Sequence, residues 1–210
     1  MDGAPVTESP ALVLASGSPR RAALLAEAGY VYSARSPDID ESPLQDEPPS
    51  AMVTRLAVAK ARAVAAEVTA PSLVLGADTA VVADGEALGK PVSPDDAVEM
   101  LLRLGANQHT VITGYAVVNS VDPAGEPVVG VESTLVVMKP ISAAVATEYV
   151  ATGEPMDKAG SYAIQGLGGR LVERIVGSFS NVAGLPMESV ASILAQLGVH
   201  PSVAGTREPE

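Results

Sequence analysis

Residues 12–21 read LVLASGSPRR, and this stretch sets the beginning of the fold. The apolar run 12–15 is typical of a short buried strand, and the small residues at 16–17 favour a turn directly after it. Ser18 is a candidate helix N-cap, and Pro19 suits the first helical position because no backbone N–H is needed there. The stretch therefore predicts a strand, a turn and a helix in immediate succession, which is the building unit of α/β folds.

Two arginines, Arg20 and Arg21, fall in the first turn of this predicted helix. A positive charge at a helix N-terminus opposes the helix dipole and costs about 0.3–1 kcal/mol, so a negative group is expected in front of the turn. The backbone N–H groups of a strand-to-helix turn favour an anion at the same place. A triphosphate is the natural candidate, because a guanidinium binds phosphate through paired hydrogen bonds. The alternative is two solvated arginines on an ordinary helix.

The rest of the chain alternates between helical and strand patterns. An irregular loop containing proline and acidic residues is predicted over 33–49. After it the sequence predicts helices at 50–68, 93–105, 142–151 and 187–197, and strands at 73–83, 86–89, 110–119, 127–139 and 171–176. This mixed order favours the α/β or α+β class. We expect a single domain over 11–199 around one curved mixed sheet, with flexible tails at 1–10 and 200–210.

The segment Gly76-Ala77-Asp78-Thr79 interrupts an apolar strand with one carboxylate. An uncompensated buried Asp is unfavourable, so Asp78 is expected to meet a metal, a cation or a strong hydrogen-bond donor. The alternative is an Asp at a strand end that caps a turn or pairs with an arginine. A hairpin turn at Asp84-Gly85 then returns the chain, and a return strand that ends at Lys90 brings its ammonium towards the level of Asp78.

Three further polar residues say little by themselves. Lys60 lies on the predicted helix 50–68, where a lysine usually extends its ammonium into solvent. Glu41 lies in the acidic loop, where a solvated carboxylate is the default. Gln165 lies in the stretch 157–169, DKAGSYAIQGLGG, whose small and polar composition favours a binding loop. The amide of Gln165 suits the edge of a nucleotide base, although an ordinary turn glutamine is the simpler interpretation.

Composition excludes several classes of function. The 210 residues include 13 Lys and Arg against 25 Asp and Glu, a formal net charge of −12 that argues against sequence-independent binding of nucleic acid. Without cysteine there is no disulfide, thiolate nucleophile or cysteine-ligated metal. The two histidines, His109 and His200, are too few for a His-rich metal site. Any metal is therefore expected to be Mg2+ or Mn2+ held by carboxylates.

Targeting signals are also missing from the sequence. No apolar run reaches the roughly 20 residues that a membrane helix needs. The first ten residues, MDGAPVTESP, lack the positively charged region of a signal peptide. The expectation is a cytoplasmic protein without a membrane partner.

Four separated blocks resemble, in order and spacing, the motifs of the Maf family of nucleoside triphosphate pyrophosphatases: 13–21 (VLASGSPRR), 76–91 (GADTAVVADGEALGKP), 153–169 (GEPMDKAGSYAIQGLGG) and 184–186 (GLP). The resemblance implies an ITPase-like α/β fold with two lobes flanking a nucleotide cleft, and possible homodimer formation. It implies metal-dependent hydrolysis of a nucleoside triphosphate between the α and β phosphates, which releases a monophosphate and pyrophosphate. GADT together with YAIQG at 162–166 resembles the branch that acts on dTTP and UTP, including modified uridine triphosphates.

The same resemblance implies roles for individual residues. Asp78 matches the proton acceptor that activates the attacking water, and Glu41 matches an acid near the metal, so the implied metal ligands are Glu41 and Asp78. Positions linked to substrate choice are matched by Arg20, Thr79 and Gln165. Polar and basic positions that line the cleft are matched by Ser16, Arg21, Lys60 and Lys90. Cations that neutralise phosphate charge and a carboxylate that orients water are what in-line attack on a phosphate requires.

Two other functions stay open beside the expected removal of non-standard nucleotides. The first is a nucleotide-binding regulator of septum formation, because the family is tied to arrest of cell division. A pure regulator has no need of a water-activating carboxylate, which Asp78 offers. The second is a hydrolase that releases phosphate from the γ position. This is disfavoured because the chain contains no G-x-x-x-x-G-K-[ST] phosphate loop.

Overall fold

The computed structural model describes residues 10–202, which form seven strands, six α-helices and three 3-10 helices. The strands are β1 (Ala11–Ala15), β2 (Ser33–Arg35), β3 (Ser72–Ala83), β4 (Glu86–Leu88), β5 (Gln108–Asn119), β6 (Val128–Met138) and β7 (Val172–Val176). The α-helices are α1 (Pro19–Glu27), α2 (Pro49–Glu67), α3 (Pro94–Leu104), α4 (Ala143–Val150), α5 (Phe179–Val182) and α6 (Met187–Gln196). The 3-10 helices are Glu154–Asp157, Ala159–Ser161 and Leu167–Leu171.

The strands form one mixed sheet in the order β2-β1-β3-β5-β6-β7, and β4 pairs with the end of β3. β1 runs parallel to both β2 and β3, whereas the other neighbours run antiparallel. The pairing of β1 with β3 ends where Ala15 lies opposite Gly76. The second half of β3 therefore extends beyond β1, and Asp78 lies on this extension. The mixed sheet and its helices confirm the α/β class.

The core follows from the alternation of side chains along the strands. Leu12 and Leu14 of β1 pack into one buried cluster with α1 and α6, while Val13 and Ala15 pack on the opposite face against α2. A strand covered on both faces is apolar at every position, which is why β1 shows no alternation of polar and apolar residues. A third cluster lies between α3, α4 and the far part of the sheet, around Leu101.

Helix α2 lies unusually close to the sheet because two glycines face it. A Cβ at Gly76 would clash with the backbone of α2, coming within 2.8 Å of Ala61 N. A Cβ at Gly114, which pairs with Asp78 across β3 and β5, would come within 2.5 Å of Val53. The absence of side chains at these two positions allows the direct contact between helix and sheet.

Three details differ from the sequence predictions. Ser33–Arg35 forms β2 by pairing with β1, inside the stretch 33–49 that was expected to be irregular. The return strand β4 ends at Leu88, so Lys90 lies beyond it rather than at its end. Ser18 is the N-cap residue of α1, but its side chain makes no capping hydrogen bond. Its backbone N–H donates instead to Ser16 Oγ at 3.1 Å.

The chain ends are described only in part. Residues 1–9 and 203–210, which make up most of the two predicted tails, lie outside the described residues. At the described end, Ser202 N donates to Gly29 O at 2.8 Å, which attaches residue 202 to the end of α1. Between residues 10 and 202, no helix combines the length and the apolar composition needed to cross a membrane.

Candidate active site

The centre of the site is a carboxylate on the α2 face of the sheet. Gly76 and Asp78 are two residues apart on β3, so they face the same side. Since the Gly76 position contacts Ala57 and Ala61 of α2, Asp78 also faces this helix. Lys60, which precedes Ala61 in α2, extends its side chain towards Asp78. The close approach at Gly76 therefore brings the lysine and the carboxylate together.

Lys60 joins two carboxylates that are distant in sequence. Its Nζ lies 2.6 Å from Asp78 Oδ1 and 3.0 Å from Glu41 Oε1. Lys60 is 5% exposed and Asp78 is 9% exposed, whereas Glu41 is open to solvent. Asp78 thus meets a cation, as the sequence predicts for a buried Asp. Lys60 is not the solvent-exposed lysine that its helical position alone predicts.

A second group of polar contacts lies around Arg21. The guanidinium donates from Nε to Gly184 O at 2.8 Å, from one terminal nitrogen to Ser16 Oγ at 3.3 Å, and from the other to Thr79 Oγ1 at 3.1 Å. Burial lowers the pKa of Arg21 from its ordinary value, while the nearby charge of Asp78 acts in the opposite direction. A guanidinium has five N–H donors, so two remain for an anion.

Three of the predicted site residues stand apart from these contacts. Arg20 is half-buried, and Lys90 and Gln165 are exposed. In the part of the chain that the structure describes, none of the three makes a side-chain hydrogen bond or ion pair. Lys90 is nevertheless fixed indirectly, because the carbonyl of the preceding Gly89 accepts a hydrogen bond from Gly160 N at 3.1 Å. This bond joins the segment after β4 to the glycine-rich stretch that carries Gln165.

The donor set of the site fits a hard divalent cation. One oxygen each of Asp78 and Glu41 lies within 3.0 Å of the same ammonium nitrogen, so the two carboxylates converge on a point that already holds positive charge. Mg2+ is usually bound by one or two carboxylates together with substrate phosphates. Across residues 10–202, no three His, Asp or Glu side chains come together as a metal-binding group. The oxygen donors closest to this point are the carboxylates of Asp78 and Glu41, and one oxygen of each is paired with Lys60.

Sequence reasoning missed several residues that support the site. Thr113 Oγ1 lies 3.0 Å from Thr79 Oγ1 and donates to the Asn181 carbonyl at 3.2 Å, so it connects β3 and β5 to α5, which precedes the GLP motif. Nothing in the sequence around Thr113 indicates this contact. Glu154 binds the backbone of the glycine-rich stretch through Leu167 N and Gly168 N. A signal for it exists, because glycines at 166 and 168 leave room for a neighbouring side chain.

Fold and site together define a class: an α/β protein in which two carboxylates and several basic side chains meet beside a mixed sheet, an arrangement suited to an anionic ligand. The chain belongs to the Maf family, since the sequence profile described as Maf-like protein matches residues 11–197.

Its relatives are similar over almost their full length. It is 50% identical over 188 residues to a dTTP/UTP pyrophosphatase of Moorella thermoacetica, covering 90% of this chain and 95% of the relative. It is 47% identical over 190 residues to a dTTP/UTP pyrophosphatase of Anaeromyxobacter dehalogenans, covering 90% and 95%. It also matches the crystal structure of a nucleoside-triphosphatase / dITP/XTP pyrophosphatase from Mycobacterium abscessus at 16% identity, with a TM-score of 0.41 over 89% of this chain and 93% of the other. The α/β class rests on the sheet described above and not on that weak likeness.

Proposed function

We propose that this protein is a nucleoside triphosphate pyrophosphatase that acts on dTTP and UTP and releases a nucleoside monophosphate and pyrophosphate. The observation that carries the proposal is the buried Asp78, held by Lys60 and linked through it to Glu41. The names of the relatives, dTTP/UTP pyrophosphatases at 47–50% identity, support the substrate.

Asp78 is placed to act as the base. Its Oδ1 accepts the hydrogen bond from Lys60, and its Oδ2 has no hydrogen bond from any residue between 10 and 202. Oδ2 is therefore the atom that takes a proton from water. The water oxygen forms a bond to the α-phosphorus, the bond from that phosphorus to the α–β bridging oxygen breaks, and pyrophosphate leaves with the bridging oxygen. A positioned carboxylate of this kind contributes about 10²–10⁴-fold to the rate.

Basic side chains supply the charge that phosphate groups need. Arg21 keeps two N–H donors free and is held in place by Gly184, Ser16 and Thr79. No residue between 10 and 202 pairs with the cationic groups of Arg20 and Lys90, and we assign both groups to phosphate oxygens. Lys60 holds Asp78 in position. A divalent cation, Mg2+ or Mn2+, fits at Asp78 and Glu41, and when bound it neutralises charge on the phosphates.

The test is a product analysis with purified protein. It is incubated with Mg2+ or Mn2+ and, separately, with dTTP, UTP, CTP, GTP, ATP and 7-methyl-GTP, and monophosphate, pyrophosphate and phosphate are separated by ion exchange. We expect monophosphate and pyrophosphate from dTTP and UTP. Asp78→Asn is expected to lower the rate at least about a hundredfold while nucleotide binding persists, because only the proton acceptor is removed.

Each contrary outcome has a distinct meaning. Release of phosphate without pyrophosphate would replace the proposal with cleavage at the γ position. Equal rates with all bases would retain the reaction and remove the preference for dTTP and UTP. Saturable binding of every nucleotide without turnover would favour a regulator that binds nucleotide without hydrolysing it.

A further inference from the structure

The carboxylate of Glu154, outside the Asp78 site, accepts three hydrogen bonds from the described part of the chain. Its Oε1 accepts from Leu167 N at 3.0 Å, and its Oε2 accepts from Gly168 N at 2.9 Å and from the hydroxyl of Tyr149 at 2.6 Å. Three donors on one carboxylate fix its orientation, because bonds to an ionised acceptor are about twice as strong as neutral ones. Glu154 therefore holds the backbone at 167–168.

Tyr149 extends the same contacts to the other end of this loop. Its ring is buried near the end of α4, and its hydroxyl oxygen accepts a hydrogen bond from Ala163 N at 3.1 Å while the hydroxyl donates to Glu154. The loop 163–168 is thus attached at its first residue by Tyr149 and at its last two residues by Glu154. Between these attachments lie Ile164, Gln165 and Gly166.

The two glycines of the loop are required for this attachment. A Cβ at Gly166 would clash with the carboxylate of Glu154, and a Cβ at Gly168 would come within 2.5 Å of the Tyr149 hydroxyl. Neither glycine has a positive φ, so backbone conformation is not what selects glycine here. The close approach of Glu154 and Tyr149 explains the spacing G-x-G at 166–168.

The charge states agree with the hydrogen bonds. Burial acts to raise the pKa of Glu154, but hydrogen bonds from Tyr149, Gly168 and Leu167 outweigh it and hold the pKa below its ordinary value. Burial, followed by the bond to Glu154, raises the pKa of Tyr149. At neutral pH the acceptor is therefore ionised and the donor is protonated, which keeps the contacts intact.

We propose that Glu154 and Tyr149 are positioning residues that hold the 163–168 loop in the conformation from which Gln165 reads the pyrimidine base. The inference rests on the proposed function, in which Gln165 takes part in substrate choice. Gln165 has no side-chain hydrogen bond within residues 10–202, so the held backbone of the loop determines from where its side chain extends. Neither Glu154 nor Tyr149 contacts the group formed by Asp78, Lys60 and Glu41. They act on base recognition and not on the chemical step.

The decisive measurement is nucleotide binding without turnover. Dissociation constants for UTP and GTP are measured by calorimetry with Mg2+ in an Asp78→Asn background, with and without Glu154→Gln. An amide has only one acceptor oxygen where the carboxylate uses two, so at least one contact to the loop is lost. We expect UTP affinity to fall about tenfold and GTP affinity to change by less than about twofold, so that the preference for UTP shrinks.

Two further variants and one control make the result specific. Tyr149→Phe removes the hydrogen bond to Ala163 N and one of the three hydrogen bonds to Glu154, leaves both bonds from Glu154 to the loop, and is expected to act in the same direction with a smaller effect. Gly166→Ala displaces the Glu154 carboxylate sterically and is expected to reproduce Glu154→Gln. Glu148→Gln removes an exposed carboxylate that pairs with no residue between 10 and 202 and lies one residue before Tyr149, and it is expected to change neither dissociation constant. Thermal melting of each variant checks that it is folded.

A second measurement observes the loop directly. Amide hydrogen exchange of the nucleotide-free protein is followed at Leu167 and Gly168, and we expect loss of protection in Glu154→Gln but not in Glu148→Gln. With Asp78 intact, Glu154→Gln is expected to raise KM for UTP about tenfold with kcat within twofold of the parent. A fall in kcat at unchanged KM, or unchanged affinity and exchange in a folded Glu154→Gln protein, would overturn the inference.

The outcomes separate this inference from the proposed function. If the parent protein releases no pyrophosphate, but Glu154→Gln still weakens UTP binding selectively, the reaction is wrong and the positioning role holds. If the parent releases pyrophosphate and Glu154→Gln leaves the UTP to GTP preference unchanged, the positioning role is wrong and the reaction holds. A parent protein that binds neither nucleotide would overturn both.

Discussion

Lys60 balances the charge of the site. A carboxylate and an ammonium lose hydration when buried, and only close, well-oriented pairing offsets that loss. The 2.6 Å contact between Lys60 Nζ and Asp78 Oδ1 supplies this pairing, and Glu41 is a second partner at 3.0 Å. Arg21 also lies within range of the charges of Asp78 and Glu41, so two basic and two acidic groups balance at this site.

Replacing Lys60 by methionine tests this balance. Lys60→Met keeps the length of the side chain but leaves Asp78 without its partner, and we expect the free energy of unfolding to fall by about 3 kcal/mol, as for one half of a buried ion pair. Urea denaturation measures the change. Adding Asp78→Asn should recover part of the loss, whereas Lys90→Met, at an exposed lysine, should change stability by less than about 0.5 kcal/mol. A loss of under 1 kcal/mol for Lys60→Met would contradict the buried pairing.

The sequence predicts which kind of partner a single residue needs, but it does not predict which residue supplies that partner. An Asp inside an apolar strand requires a cation or donor, and the structure confirms that requirement for Asp78. That the cation is Lys60 was not evident from residue patterns, because the burial of a lysine depends on a contact 18 residues away in sequence. The Maf resemblance pointed to Lys60 as a site residue without saying what it contacts.

At the scale of elements, the contact of α2 with β3 determines where the site forms. The contact depends on Gly76, because any side chain there would meet the backbone of α2 at Ala57 and Ala61. Helix and strand would have to separate, and Lys60 would move away from Asp78. The glycine of GADT is thus a packing requirement for the contact between Lys60 and Asp78.

Gly76→Ala is therefore expected to reduce both stability and activity. Forcing a methyl group against the backbone of a packed helix should lower the free energy of unfolding by about 3 kcal/mol, within the range for overpacked cores. Gly89→Ala is the matched control, because a Cβ there has nothing within 4 Å and should change stability by less than about 0.5 kcal/mol. Chemical denaturation and the pyrophosphate release rate are compared for the two variants. Equal stability of both would show that α2 can move away from β3 at little cost.

Long elements were predicted well, and the elements that the sequence analysis missed are all short. The predicted helix 50–68 is observed as Pro49–Glu67, and the predicted strand 73–83 as Ser72–Ala83. The strand Ser33–Arg35 was missed because its residues are all exposed, so only pairing with β1 makes it a strand. The 3-10 helices of 154–171 were also missed, because they depend on contacts such as those of Glu154 and not on a repeating apolar pattern.

At the scale of the whole molecule, one buried histidine makes stability depend on pH. His109 of β5 shares a hydrogen bond with the hydroxyl of Tyr162, with His109 Nε2 2.8 Å from the oxygen, and its Nδ1 has no partner among the described residues. Burial lowers the pKa of His109 to about 4. The unfolded chain accepts a proton near pH 6.5, so the folded state loses stability as the pH falls from about 6.5 to about 4.

Replacing His109 by glutamine removes this titration. At pH 5 we expect the wild type to have lost about 2 kcal/mol of unfolding free energy through His109, relative to pH 7.5. Hydrogen bonds from Arg55 and Lys158 lower the pKa values of the carboxylates of Glu47 and Asp157. Protonation of such carboxylates on acidification also lowers the stability of the folded protein. They remain in His109→Gln, so the difference between the two pH profiles isolates the histidine. Parallel profiles between pH 7.5 and 5 would contradict the assignment.

The bond from Arg21 Nε to the carbonyl of Gly184 spans 163 residues. A ribosome adds about 5–20 residues per second, so Arg21 emerges roughly 10–30 s before its acceptor is synthesised. Until then the guanidinium lacks the contact that orients it, however early β1 and α1 form. The set of contacts that orients Arg21 is consequently completed only after residue 184 has been added to the chain.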